Sequence, residues 1–257
     1  MNDTTPVLRP LDLPLGEDVV VLERAETGLI ALAKPAGLLS HPNSKDDQDR
    51  AVLTCAYSFE DECYSWMRAD GSTGRLFLLN RLDSATSGVL ICALDVRLAK
   101  AVKEQFLHKQ IGKIYNALVF GVPSVPNQVW RDRLAVKKTA GQIRTRGAGN
   151  IPCECRMHLL GRRAGGGSAA FSLVQLEPRT GRSHQLRVQC AMRKLPIVGD
   201  LTYGDFGGNR SFAKEFGTKR LFLHSLETSF DYEYQGKPHH FSAKAPLPDI
   251  FHKLLRA

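Results

Sequence analysis

One acid in the 257-residue chain is placed to do chemistry. Asp83 lies in a polar insertion, residues 80–88, between the apolar runs 76–79 and 89–94. Arg81 precedes it, and the small hydroxyl residues Ser84, Thr86 and Ser87 follow. An acid on a tight loop over two rigid strands can present its carboxylate to a pocket while nearby hydroxyls and amides fix its direction. A carboxylate so held can act as nucleophile or as general base. An Asp in such a loop can also be a plain turn residue, so Asp83 alone decides nothing. A hydrolase built on Asp83 with His184 or His224 would need a further nucleophile or metal arrangement, and the chain offers none. No HxH or CxxC pair, no GxGxxG after a strand and no GxxxxGK[ST] loop is present, so the expectation is no metal and no nucleotide cofactor.

The charge is lopsided. Lys and Arg number 35 against 26 Asp and Glu, a formal net charge of +9. Residues 131–163 hold nine basic side chains, opposed only by Asp132 and Glu154. Lys137, Lys138, Arg144 and Arg146 belong to this stretch, which predicts a surface that neutralises phosphates and binds nucleic acid in a salt-dependent way. The alternative is a solvated basic face without a partner. The six cysteines are scattered without a CxxC pair, as expected of reduced thiols in a cytoplasm. No apolar run approaches the ~20 residues that cross a bilayer, and residues 1–15 lack a signal pattern, so neither membrane nor export is expected.

The elements that must position these groups read mainly as strands. Runs 19–22 and 29–33 are predicted strands joined by a turn around Thr27-Gly28. Residues 51–67 are predicted as a helix with an acidic face at Glu60, Asp61 and Glu62. Asp95 is a candidate N-cap for a helix that buries Leu98, Ala99, Val102 and Phe106. Strands are expected at 114–120, 171–176, 220–224, 229–234 and 240–243. A short helix is expected at 183–192, and Gly165-Gly166-Gly167 marks a loop tip. No regular βαβ repeat appears. The fold class is therefore α+β, a mixed, mainly antiparallel sheet with flanking helices.

Several segments together resemble a known family. Asn80-Arg81-Leu82-Asp83-x-x-Thr86-Ser87-Gly88 resembles the HRLDxxTSG signature of RNA pseudouridine synthases of the RluA branch. In chain order, Lys34-Pro35-Ala36-Gly37-Leu38 with His41-Pro42 is similar to its KPAGL…HP segment, and Lys113 to Val119 to its KxYxALV strand. Gly181 to Val188 is similar to GRTHQIRV; the 196–204 segment and Arg220-Leu221-Phe222-Leu223-His224 complete the set. Each string is weak alone, and their shared order carries the signal. Two positions depart from the pattern: Asn80 and Gln189 stand where the family has His.

The resemblance implies a cofactor-free isomerase that turns specific uridines of rRNA or tRNA into pseudouridine. It implies one catalytic domain over 18–257 without an S4 domain, after an N-terminal extension over 1–17. Asp83 would be the catalytic acid, Arg187 its partner and Tyr115 the residue packed on the flipped base. Arg81 would help extrude the nucleotide. Leu223 would form apolar wall or simply core, and Arg182, about five residues before Arg187, is the alternative partner or a phosphate contact. A monomer is the default expectation. A non-catalytic RNA-binding protein of the same fold is the competing reading, which the intact Asp83, Tyr115 and Arg187 set counts against.

Overall fold

The computed structural model describes residues 12–108, 110–139, 142–163 and 170–256. The predicted loop tip at 165–167 and residues 1–11 of the predicted extension lie outside the described residues, as do the side chains of Phe106 and Lys138.

The chain builds one long, twisted sheet in two halves. The first half contains β1 (Val20–Arg24), β2 (Leu29–Lys34), β3 (Ala56–Ser58), β4 (Cys63–Met67), β5 (Thr73–Leu78) and β6 (Ser87–Ala93). The second contains β7 (Gly112–Phe120), β8 (Asn127–Thr139), β9 (Gln142–Gly147), β10 (Ile151–Arg163), β11 (Phe171–Pro178), β12 (Leu223–Tyr234) and β13 (Lys237–Lys244). The main path runs β3-β4-β5-β6-β12-β7-β11-β10-β8-β9; β2 joins β6, β1 joins β2, and β13 joins β12. Every named pairing is antiparallel except one, β6 with β12. That parallel seam spans only His224 opposite Ser87 and Ser225 opposite Gly88. It joins the two halves. Gly88 has φ +115, and a Cβ there would run into the Ser225 carbonyl, so the seam needs glycine.

Among the described residues four α-helices cover the sheet: α1 (Val96–Leu107), α2 (Gln185–Met192), α3 (Phe206–Phe216) and α4 (Asp249–Arg256). Asp95 caps α1, accepting from the N–H groups of Arg97 (2.8 Å) and Leu98 (3.0 Å). Leu98, Ala99 and Val102 enter the first-half core with Phe77, Ile91 and Phe230. In the second half, α2 packs Leu186 and Cys190 against Ala117, Trp130, Cys155 and Leu176. Phe212 of α3 and Phe251 of α4 pack with Leu118, Phe171 and Leu173 in another cluster. Leu13 and Leu15 also pack onto the first-half core, so the described part of the predicted extension is docked.

Two expectations are corrected. Residues 51–67 form no helix. Leu53 bridges to Leu15, and β3 pairs with β4 through Tyr57 opposite Tyr64. The aromatic pair at 4.8 Å favours a hairpin, and the acidic tripeptide falls in its turn. The predicted strands 220–224 and 229–234 are one strand, β12, bulged between Ser225 and Glu227 and beginning at Leu223. The basic stretch, to which the sequence assigned no element, lies on two 13-residue strands, β8 and β10, and the six-residue β9, where charges mask the period-2 alternation. Trp130, Leu134, Cys153 and Cys155 are buried along them, whereas Arg131, Arg133 and Arg156 are exposed.

Candidate active site

A cleft of about 1060 Å³ opens where the two halves meet. Its wall includes Asp83, Arg81, Tyr115, Arg182, Arg187 and Leu223, so most of the predicted site residues share one cavity. Lys137, Arg144 and Arg146 do not line it.

The first half supplies the acid. Ser40 clamps Leu82 at both ends: its hydroxyl donates to the Leu82 carbonyl and accepts from the Leu82 N–H, both at 3.0 Å. Lys34, 1% exposed, donates from Nζ to the carbonyls of Pro35 (2.9 Å), Leu38 (2.7 Å) and Ser84 (2.9 Å). One ammonium thereby ties the Asp83 loop to the 35–38 turn. Burial pulls its pKa down to about 7, with the Asp83 charge opposing the fall. Asn80 accepts from the Ile91 N–H at 2.8 Å, anchoring the loop's start to β6.

The second half supplies the cation. Arg187 projects from the first turn of α2. Its Nη1 donates to Asp83 Oδ2 at 3.0 Å, while Nε and Nη2 grip the two oxygens of Asp200 at 2.8 Å each. Asp200 is 1% exposed and also accepts from the Thr202 and Tyr203 N–H groups at 2.8 and 3.0 Å. Burial pushes the Asp200 pKa up, but Arg187 and these backbone donors outweigh it and hold the group below the usual carboxylate range. Arg187 is fixed in turn, its guanidinium carbon 5.1 Å from the Tyr203 ring centre. Burial disfavours its charge, yet the hydrogen bond and charge of Asp200, with Asp83, raise its pKa.

His184 enters the same network. It sits at φ 53 just before α2, a left-handed turn that brings its ring inward. Nδ1 lies 2.8 Å from the Tyr203 hydroxyl, and Nε2 lies 3.8 Å from Asp83 Oδ1. Burial lowers its pKa against the pull of Asp83. Tyr115 faces the cleft from β7, half-buried beside Leu223, and burial raises its pKa. Leu223, 4% exposed, is both core and cleft wall.

Arg81 and Arg182 are exposed at the rim. Arg81 Nη1 lies 3.4 Å from His41 Nε2, whose ring stacks on Tyr57 at 5.1 Å. Arg182 precedes α2, in the turn that Gln185 closes by accepting its N–H at 3.2 Å. Gln189, fully buried, accepts from Gln185 at 3.0 Å and donates to Asp132 at 2.7 Å, bolting α2 to β8.

Lys34, Asp200, Tyr203 and Arg220 carry no assigned role in the sequence reading. Their segments were legible, but each also has a partner well away in the chain, from 13 residues for Asp200 with Arg187 to 133 for Arg220 with Ser87.

Chemically, the cleft offers one carboxylate aimed from a braced loop, a fixed guanidinium beside it, an aromatic ring and an apolar wall. A family model described as RNA pseudouridylate synthase matches residues 28–192. The tRNA pseudouridine synthase C of Vibrio cholerae is 32% identical over 235 residues, covering 88% of this chain and 91% of that protein. The ribosomal large subunit pseudouridine synthase D of Borreliella burgdorferi is 31% identical over 229 residues, covering 87% of this chain and 63% of that one. Among solved structures, Human RNA Pseudouridylate Synthase Domain Containing 4 superimposes with TM-score 0.65 at 22% identity, over 91% of each chain. Its counterpart Domain Containing 1 gives TM-score 0.63 at 22% identity, over 94% of this chain and 96% of that one. Both have the same fold.

Proposed function

The chain belongs to the RNA pseudouridylate synthase family, a family of isomerases, and from that premise we propose that it converts uridine to pseudouridine in tRNA or ribosomal RNA with Asp83 as the catalytic acid. In this reaction the bond from ribose C1′ to base N1 breaks and a bond from C1′ to C5 forms. The C5 proton leaves and N1 gains one, so atoms and electrons balance without an oxidant. The observation that carries the reading is the ion pair between Asp83 and Arg187, 3.0 Å long, at the wall of a cleft large enough for a nucleotide.

Each side chain has a role in this reading. The Asp83 carboxylate attacks the nucleoside or removes a sugar proton; both need it ionised and aimed. Arg187 keeps it so, with Asp200 locking the guanidinium in place. The target uracil must leave the RNA stack, because its reacting atoms are unreachable inside a helix. Tyr115 gives the flipped base a ring to lie on and Leu223 an apolar wall. Arg81 at the rim helps extrude the nucleotide, and Arg182 meets backbone phosphate. Lys137, Lys138, Arg144 and Arg146 on the β8–β9 hairpin contribute affinity rather than base recognition. One catalytic domain over 18–257 does this, with a monomer as the default state. The six cysteines are free and buried, which fits a reducing cytoplasm.

The test is tritium release from unmodified tRNA and rRNA transcripts labelled at uridine C5. The parent protein should release tritium from at least one pool. Asp83→Asn should lower turnover by about 10²–10⁴-fold or more, the range one positioned catalytic group contributes. No release by the parent from either pool, or near-normal release by Asp83→Asn, overturns the proposal.

A further inference from the structure

The cleft holds more cations than the ion-pair network uses. Asp83 and Asp200 are both satisfied by Arg187, which leaves Lys113, Arg182, Lys219, Arg220 and Arg81 on the wall. Of these, Lys113 and Arg220 are half-buried, and burial pulls the pKa of each down with no carboxylate to offset the fall. Arg220 is also held by its surroundings. Its Nη2 donates to Ser87 Oγ at 2.8 Å, and its guanidinium carbon lies 5.6 and 5.3 Å from the Phe222 and Phe251 ring centres.

The backbone is fixed as well. Gly199 has φ +79, and a Cβ there would collide with the Arg220 carbonyl. The Phe222 N–H donates to the Val198 carbonyl at 2.9 Å. The turn that carries Asp200 is thus pressed directly against Arg220. Among the described residues nothing accepts a hydrogen bond from Nη1, and Arg220 has no atom among the sealed, unpartnered ones.

A desolvated guanidinium without a counter-charge is costly in a folded protein, and a neutral partner would leave the charge uncompensated. A phosphate supplies both the charge and acceptor oxygens suited to a planar fork. We propose that Arg220 is an anion site inside the cleft that takes a phosphodiester of the substrate RNA next to the target uridine. It rests on the pseudouridine synthase reading for the identity of the anion. Aromatic rings and Ser87 hold the guanidinium before RNA arrives, so little side-chain entropy is lost on binding.

The experiment uses the same C5-tritiated tRNA and rRNA pools, so loss of activity in the parent would strike the functional reading and not this one. With an active parent, Arg220→Gln should raise KM about 10-fold or more, the effect of removing one charge-assisted hydrogen bond. The log–log salt slope of RNA binding should fall by about 0.7–0.9, the share of one neutralised phosphate, and Arg220→Lys should restore most of both. An unchanged salt slope, or a loss confined to kcat, would make Arg220 a structural brace and overturn the site. Should Arg220→Gln fail to fold, Asp83→Asn labelled with ¹⁵N at arginine supplies the readout. Its Arg220 side-chain resonance, assigned by its disappearance in the Asp83→Asn, Arg220→Lys double variant, should shift when the RNA pool is added, and a stationary resonance contradicts the proposal.

Discussion

Arginine appears in this molecule in two settings that differ mainly in access to water. In the cleft, Arg187 keeps 9% of its side chain exposed and makes three short hydrogen bonds to two carboxylates. On the outer face of β8 to β10, Arg131 is 74% exposed and meets Glu154 at 2.9 Å. Across that face Lys137 pairs in register with Arg144, like charge beside like charge, and Ala135 with Arg146. Lys137, Arg144 and Arg146 form no ion pair among the described residues. Burial makes a charge a positioning device, because its geometry is overdetermined and its partners cannot be exchanged for water. Exposure leaves a charge free to meet phosphate, at a strength that salt tunes. The hairpin also turns these side chains away from α2: Thr145, between Arg144 and Arg146, faces inward and donates to the Ser183 carbonyl at 2.9 Å.

The comparison breaks most visibly at Arg187. Removing it by Arg187→Ala strands Asp200 in the interior and leaves Asp83 without its counter-charge. We expect a loss of about 3–5 kcal/mol in stability, the range for orphaning a buried ion-pair partner, together with loss of turnover. Urea unfolding checks the first. Arg187→Lys, which keeps the charge but not the fork, should recover part of the stability and little turnover. A mild effect of Arg187→Ala, below about 1 kcal/mol, would assign it the energetics of a surface pair.

Tyr115 comes next. Tyr115→Ala should weaken binding of the flipped base by about 1–3 kcal/mol, the value of one aromatic platform. Tyr115→Phe should keep that ring and any glycosidic cleavage, so a defect confined to the Phe variant's product formation would place the hydroxyl at the C5 proton. Normal kinetics in both variants would reduce Tyr115 to a core residue.

Asp200 gives a pH signature. Its folded pKa is depressed, so its stabilisation is present above the unfolded value and is lost as pH falls through the folded value. The stability gap between the parent and Asp200→Asn should be steady near neutrality and narrow below about pH 4, where an unfolded Asp takes up its proton. Unfolding curves across that range decide it, and a gap that ignores pH refutes the ionic role.

The hairpin should respond least in chemistry. Neutralising Lys137, Lys138, Arg144 and Arg146 together should lower the salt slope of RNA binding by roughly 0.7–0.9 for each phosphate they neutralise. Turnover of already bound RNA should hardly move. Superimposable salt titrations would reduce this face to solvated charge.

The Asp83 loop was legible because apolar strands bracket it and its polarity has no other use there. The ordered motifs also pointed at Arg187 and Tyr115. The pairing of Arg187 with Asp83, across 104 residues, came from the resemblance alone, and other partnerships were not legible: Arg187 also grips Asp200, and Lys34 meets Ser84 across 50 residues. Local pattern failed where charge masked alternation, as in β8 to β10. It also failed where tertiary pairing overrode an apparent helix, as at Tyr57 and Tyr64.

The central claim is that Asp83, held by Arg187, isomerises uridine in cellular RNA. The most direct measurement maps pseudouridine in tRNA and rRNA from cells lacking this protein, complemented with the parent or with Asp83→Asn. At least one position should lose its pseudouridine in the deletion, regain it with the parent and stay unmodified with Asp83→Asn. An unchanged map in the deletion, or full restoration by Asp83→Asn, would contradict the account.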